Sequence, residues 1–263
     1  MTQAQHSPAG TGVDLDGVLS IVIGASEGIG AAIAMGLAQA GSNVIAAGRD
    51  AGRLEPTVQA ARGARGAVHV ATVDVRDPHA VQVFASTVLG DHGTPTVLVN
   101  SMGGSLVKPL VDVAVDEWDD LHHTHLRGAF LTCTAFGPAM GERGYGKIIN
   151  VSSVAAVLVN RGRSVYSVAK AGLDQLTTAL ALEWGPLGIR VNGIAPGTTR
   201  TPRAEAQFKR EPDRETWKIK GIPLGRIAVP EDMVGPALFL ASPMSDYVTG
   251  HTLVVDGGWV ASK

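Results

Sequence analysis

The 263-residue chain has a single cysteine, Cys133, so neither an intramolecular disulfide nor a cysteine-based metal site can form. Its setting, Leu131-Thr-Cys-Thr-Ala-Phe136, reads as that of a buried structural thiol rather than a nucleophile. Charged residues are also scarce, at 17% against about 25% in an average domain, while hydrophobic residues reach 45%. A disordered chain needs the opposite balance. Lys and Arg number 22 against 24 Asp and Glu, and no basic run exists, which excludes the usual signatures of a nucleic-acid or anionic-membrane partner. No stretch of about 18 apolar residues is present. Residues 1–12 lack the basic and apolar regions of a signal peptide, so a cytoplasmic protein with a mobile segment at 1–12 is expected.

What is abundant is glycine: 33 residues, well above the average share of about 7%. No tripeptide period accompanies it, so the composition is not collagen-like, and the glycines are expected to serve turns and close backbone approaches.

Short apolar runs alternate with helical patterns along the whole chain. Strands are expected at 19–23, 43–47, 67–73, 96–100, 147–151, 189–194 and 252–255. Helices are expected at 29–40, 51–62, 78–90, 116 to about 142, 165 to about 185, and 230–241. Continuously apolar strands alternating with helices mean a parallel sheet covered on both faces. No linker divides the chain, so residues 13–263 read as one α/β domain. The charged, helix-prone segment 198–221 interrupts the alternation and reads as a mobile insertion over the C-terminal edge of the strands.

After the first strand comes Gly24-Ala-Ser-Glu-Gly28-Ile-Gly30, a Gly-x-x-x-Gly-x-Gly turn that opens the first helix and is related to the dinucleotide-binding fingerprint. Such a turn needs positive φ and close backbone approach, and the helix start then offers free N–H groups to a pyrophosphate. The second strand ends Gly48-Arg49-Asp50. An Arg there suits a 2′-phosphate and an acid suits a ribose 2′-hydroxyl, so Arg49 favours NADP(H), with NAD(H) kept open by Asp50 and by Glu27 in the turn.

Ser153 closes the fifth strand, and Tyr166 and Lys170 lie four apart on the next helix, sharing a face. Alone, such a Tyr/Lys pair is more often two exposed helix residues. With a serine beside it, an ammonium one turn away makes the phenol a usable acid or base.

Taken together, these motifs resemble the short-chain dehydrogenase/reductase family from Leu15 to Trp259. The likeness extends to Val73-Asp74-Val75, Ile149-Asn-Val-Ser-Ser153, Tyr166-Ser-Val-Ala-Lys170, Arg190-Val-Asn-Gly-Ile-Ala-Pro196-Gly197 and Asp256-Gly257-Gly258. It implies a Rossmann-type, doubly wound parallel sheet of seven strands in a three-layer αβα arrangement. It also implies hydride transfer between nicotinamide and a carbonyl or secondary alcohol of the 3-oxoacyl, sugar or polyol, or steroid or terpenoid kind. Tyr166 would be the acid/base, Lys170 would hold the ribose and lower the Tyr166 pKa, and Ser153 would position the substrate oxygen. Cofactor contacts are implied at Gly24, Ser26, Glu27, Gly28, Ile29, Gly30, Arg49, Asp74, Val75, Asn100, Ser101, Gly103, Tyr166, Lys170, Pro196, Gly197, Thr199 and Thr201. Pocket walls are expected at Gly104, Ser105, Ser153, Val154, Ala155 and Asn160. His125 stands where the family has a catalytic Asn; it either replaces a proton relay, making it pH-dependent, or is a packed helix histidine. A metal site among His122, His123 and His125 is not expected. A homotetramer, or a dimer, is implied, with 116–142, 165–185 and 252–259 as contact surfaces. A catalytically silent NAD(P)(H)-binding sensor is the alternative, motivated by His125 and by Asn100-Ser101-Met102-Gly103.

Overall fold

Alternate residues of the central strands feed two separate cores. Ile21, Ile23, Leu98 and Ile148 pack on one face, and Val22, Val97, Val99 and Ile149 on the other. This is the two-residue period of a strand with no solvated side. The computed structural model describes residues 12–263, so nearly all of the expected mobile segment at 1–12 lies outside the described residues.

The strands are β1 (Leu19–Ile23), β2 (Asn43–Gly48), β3 (Val68–Thr72), β4 (Val97–Asn100), β5 (Gly146–Val151), β6 (Ile189–Pro196) and β7 (Thr252–Val255). Among the described residues they form one parallel sheet in the order β3-β2-β1-β4-β5-β6-β7. The outermost strands, β3 and β7, are the ones with half-exposed side chains, as edge position requires. Helices α1 (Gly28–Gln39), α2 (Ala51–Ala60) and α9 (Val234–Ala241) serve the core of Val22. Helices α3 (Pro78–Asp91), α5 (Gly128–Arg143) and α6 (Ser164–Trp184) serve that of Ile21. The result is the three-layer, doubly wound sheet that the motifs imply.

One expectation is corrected. The single helix expected from 116 to about 142 is instead α4 (Val115–His122), a π-helical stretch at His123–Arg127, and α5. The helix-prone segment 198–221 carries two helices, α7 (Pro202–Arg210) and α8 (Pro212–Gly221), each starting with proline at its first turn.

Strand order reverses at β1, which pairs with β2 on one side and β4 on the other. The turns after β1 and β4 therefore diverge and leave a crevice at the carboxyl ends of the strands. A buried polar chain stiffens the sheet beneath it. Thr132 Oγ1 donates to Asn100 Oδ1 at 2.7 Å, Asn100 Nδ2 to Asn150 Oδ1 at 2.9 Å, and Asn150 Nδ2 to Thr177 Oγ1 at 2.9 Å. This joins α5, β4, β5 and α6 in a region that holds no water-facing alternative. Asn100 Nδ2 also reaches the fully buried Cys133 Sγ at 3.4 Å, and burial pushes that thiol up to about 12. Among the described residues no helix is long and apolar enough to cross a membrane.

Thr177→Val keeps the shape but strands the Asn150 amide. It should cost about 1–3 kcal/mol of unfolding free energy, read from the midpoint of urea denaturation with an unchanged m-value.

Candidate active site

The turn after β1 depends on two missing side chains. Gly24 has φ +83°, and a Cβ there would lie 2.6 Å from the Ser101 carbonyl oxygen; a Cβ on Gly30 would lie 2.1 Å from the Gly24 carbonyl oxygen. Glycine is needed here for the turn to close on itself and on the end of β4, before any ligand is considered. Glu27 is the N-terminal flanking residue of α1 but its side chain makes no capping bond, so the first N–H groups of this twelve-residue helix face the crevice without an internal acceptor.

At the end of β2, Asp50 is drawn into structure, its Oδ1 accepting the Gly52 N–H at 2.8 Å at the start of α2. Glu27 is paired with Arg53 Nη2 at 2.9 Å, so its charge is countered. Arg49 lines the crevice beside them. Arg53, not singled out from the sequence, lies in the first turn of α2, four residues after Arg49. Asp74 is gripped by Arg76 through Nε at 3.0 Å and Nη2 at 2.7 Å, and this hydrogen bonding holds the carboxyl below its usual range. Arg76 was also missed; its two-residue offset from Asp74 gives no distinctive pattern.

The expected residues converge on one cavity of about 1380 Å³. Its lining includes Gly24, Ser26, Glu27, Gly28, Ile29, Gly30, Arg49, Asp74, Val75, Ser101, Gly103, Tyr166, Lys170, Pro196, Gly197, Thr199 and Thr201, together with Gly104, Ser105, Ser153, Val154, Ala155 and Asn160. Asn100 is the exception: its side chain is fully buried in the polar chain with Asn150 and Thr132, and it is not among the residues that line the cavity. As the last residue of β4, it sends its side chain toward the α5 side of the sheet.

Ser153 follows β5 and caps a short 3₁₀ turn, its Oγ accepting the Ala155 N–H at 3.1 Å. Tyr166 and Lys170 stand one turn apart on α6. Lys170 is buried, donates to the Val151 carbonyl at 2.7 Å, and is brought down to about 7 by that burial. Tyr166 is pushed up, chiefly by burial; a hydrogen bond with Ser153 and the guanidinium groups of Arg163 and Arg203 pull the other way. The charges that favour the Tyr166 phenolate thus come from two arginines that the motif did not reveal. A Lys170 with its pKa near 7 is a weaker fixed cation than the motif implies.

His125 sits in the π-helical stretch, 1% exposed, with its ring edge-on to Tyr166 at 5.4 Å between centroids. Its Nε2 lies 3.0 Å from both the N–H and the carbonyl of Gly104, while Nδ1 is buried without a partner. Burial, then the Lys170 charge, hold His125 well below 6.5. Of the two readings of His125, its burial favours the packed helix histidine over a relay that titrates near neutrality. A π-helical insertion is one of the ways a helix displaces a side chain toward a site.

Above the cavity, α7 and α8 close over Trp259. Trp259, expected at a subunit contact, is covered within its own chain: it packs with Phe208, Ile222 and Ile227 and meets the Trp217 ring at 5.5 Å.

A family described as enoyl-(acyl carrier protein) reductase matches residues 24–260. D-threitol dehydrogenase of Mycolicibacterium smegmatis is 36% identical, over 98% of this chain and 99% of that protein. Gluconate 5-dehydrogenase of Gluconobacter oxydans is 36% identical, over 94% and 96% respectively. The crystal structure of a gluconate 5-dehydrogenase from Burkholderia cenocepacia in complex with NADP and tartrate superposes with a TM-score of 0.90 at 31% identity, over 94% of this chain and 97% of that one.

The His125 burial makes a stability prediction. The unfolded chain takes up a proton below about 6.5 that the native ring refuses, so native stability falls as pH drops through that value. His125→Asn should remove this loss. Between pH 7.5 and 5.5 the unfolding free energy of the wild type should fall by about 1 kcal/mol more than that of the variant, measured by urea titration at each pH. Parallel pH dependences would show that His125 titrates normally.

Proposed function

The chain belongs to the short-chain dehydrogenase/reductase family, and from that premise we propose that it interconverts a secondary alcohol and a carbonyl at Ser153 and Tyr166, using NADP(H). The observation that carries the chemistry is the meeting of Ser153, Tyr166 and Lys170 in the cavity that the glycine turn also lines. The turn fits a dinucleotide. A Cβ at Gly24 or Gly30 would strike backbone, the uncapped α1 start presents N–H groups, and Arg49 and Arg53 stand at the end of β2. When bound, the nicotinamide supplies or accepts the hydride.

The protein's part is to bind, orient and move a proton. Gly24, Ser26, Gly28, Ile29 and Gly30 would hold the pyrophosphate end, Asp74 and Val75 the adenine, and Gly103, Pro196, Gly197, Thr199 and Thr201 the nicotinamide end. Ser153 holds the substrate oxygen. Tyr166, hydrogen-bonded to Ser153, gives its proton to that oxygen in reduction and takes it back in oxidation. Lys170, with its Nζ 5.8 Å from the Tyr166 ring centre and its pKa near 7, can exchange a proton with the phenol side of the site near neutral pH. His125 acts as a positioning residue: neutral and held against Gly104, it sets the Gly103–Gly104 backbone and one edge of the Tyr166 ring.

Preference for NADP(H) over NAD(H) is argued from charge. Glu27 is paired with Arg53 and Asp50 is spent on the α2 start, which leaves Arg49 free to meet a 2′-phosphate. Related structures containing NADP support it. A cytoplasmic homotetramer is the assembly we infer, with Phe130, Val168 and Leu182 as exposed apolar side chains on α5 and α6.

Two variants test this reading. Tyr166→Phe should lower turnover by at least about 100-fold while NADPH still binds, as followed by its fluorescence. Near-normal turnover would refute the role of Tyr166, and binding without turnover in the wild type across a broad carbonyl panel would make the protein a sensor. Arg49→Asp should raise the KM for NADP about tenfold or more and leave that for NAD unchanged or lower.

A further inference from the structure

Nine Lys or Arg side chains line the cavity against six Asp or Glu. The carboxylates are already engaged. Glu27 takes Arg53, Asp74 and Asp120 share Arg76, Glu117 takes Lys108, Glu211 takes Arg214, and Asp50 accepts the Gly52 N–H. Of the remaining cations, Arg49, Lys170 and Arg210 act on Asp74, Asp174 and Glu211, whereas the others make no ion pair with an acid of this chain among the described residues.

Three of them gather at the Tyr166 end. Arg163 directly precedes α6, three residues before Tyr166. Arg203 lies in the first turn of α7, with Nη1 4.0 Å from the position of a Cβ on Gly104. Lys218 is on α8, with Nζ 4.6 Å from the Trp259 ring centre and 5.2 Å from that of Trp217. Among the described residues none of the three has a carboxylate partner. They are also close enough to act on one another: burial, then Arg163 and Arg214, push Lys218 down to about 8, and Arg163 is itself lowered by burial and by Arg214 and Arg203. Arg163 and Arg203 act on Tyr166 as well, which sets the cluster beside the reacting oxygen rather than at the glycine turn.

Grouping like charges is unfavourable unless an anion completes them, and the indole faces that Lys218 shares with Lys263 offset only part of that cost. An apolar sterol-like substrate would desolvate the cluster and leave it uncompensated, and a neutral polyol offers it no charge. Nearby polar side chains suit hydroxyl groups. Ser105 adjoins Gly104, Gln207 lies one turn after Arg203 on α7, and Asn160 lines the same cavity.

We propose that Arg163, Arg203 and Lys218 hold the carboxylate of a polyhydroxy acid whose carbinol or carbonyl carbon lies at Ser153 and Tyr166, so that the substrates are sugar acids rather than neutral polyols or sterols. The assignment rests on the dehydrogenase reading only for the position of the reacting carbon.

The test separates binding from turnover. Protein saturated with NADP is titrated calorimetrically with D-gluconate, D-gluconate 6-phosphate and galactitol, and NADPH formation is followed with the same three compounds. D-Gluconate should bind at least about tenfold more tightly than galactitol. Lys218→Met and Arg163→Met should each reduce that preference about tenfold, and Lys218→Arg should retain it. Equal binding of gluconate and galactitol, binding of the 6-phosphate alone, or variants that weaken both compounds equally would overturn the proposal. Selective gluconate binding without NADPH formation would uphold the carboxylate site while rejecting the dehydrogenase reading. Galactitol turnover with no gluconate preference would do the reverse.

Discussion

The approach of the β1 turn to the end of β4 is the constraint on which the site depends. Gly24 packs against the Ser101 carbonyl so closely that a single methyl group has no room, and Ser101 N–H in turn donates to the Ile23 carbonyl at 2.9 Å. That contact closes the bottom of the crevice where the strand order reverses. It also fixes the direction in which α1 leaves, and with it the aim of the N–H groups at its start. The β5 end, which bears Ser153, is held in register with β4 by the Asn100–Asn150 hydrogen bond. The geometry of the cofactor end and that of the reacting end are thus set by the same two strands.

Charge is divided along the cavity in a way that follows from this frame. Near β2 and β3, Glu27 and Asp74 are matched by Arg53 and Arg76 and Asp50 by the Gly52 N–H, so the electrostatic character there is decided by Arg49, which makes no ion pair. Near α6, α7 and α8 the surplus is larger, because Glu211 is engaged by Arg214, with Gln207 and Arg210 beside it, while Arg163, Arg203 and Lys218 make no ion pair among the described residues. Arg163 and Lys218 are partly buried, which makes their charges matter more than on an open surface, and Tyr166 lies within reach of Arg163 and of the exposed Arg203. The same arginines that stabilise the phenolate are those that would attract an acidic substrate, so affinity and acid strength at Tyr166 are coupled.

Much of the fold was legible in the sequence because the inner strands are buried on both sides and read as unbroken apolar runs. The ends of β1 and β7 agree to the residue, and the others to within a residue or two. The glycine turn and the Ser153, Tyr166 and Lys170 set were legible because their spacing is local. What escaped was long-range or geometric. The helix across 116–142 carries one continuous helical pattern, and nothing in it marks the wider turn at His123–Arg127. Whether the Asn100 side chain faces the crevice or the core depends on Asn150, fifty residues away, and Trp259 is covered by helices from a segment that its own neighbourhood does not reveal. Arg53, Arg163 and Arg203 looked like ordinary solvated charges, since their meaning lies in which acids do and do not reach them.

Cys133 has one further consequence. Its sulfur lies at the centre of the α5 side of the sheet, fully enclosed, hydrogen-bonded by Asn100 and strongly resistant to ionisation. A thiol reagent can attack it only in conformations where α5 has lifted from β4, and no other sulfhydryl in the chain competes for the reagent. The lone cysteine is therefore a natural clock for the opening of the domain. Its alkylation rate counts the moments at which the layers of the protein part, without any label having to be introduced.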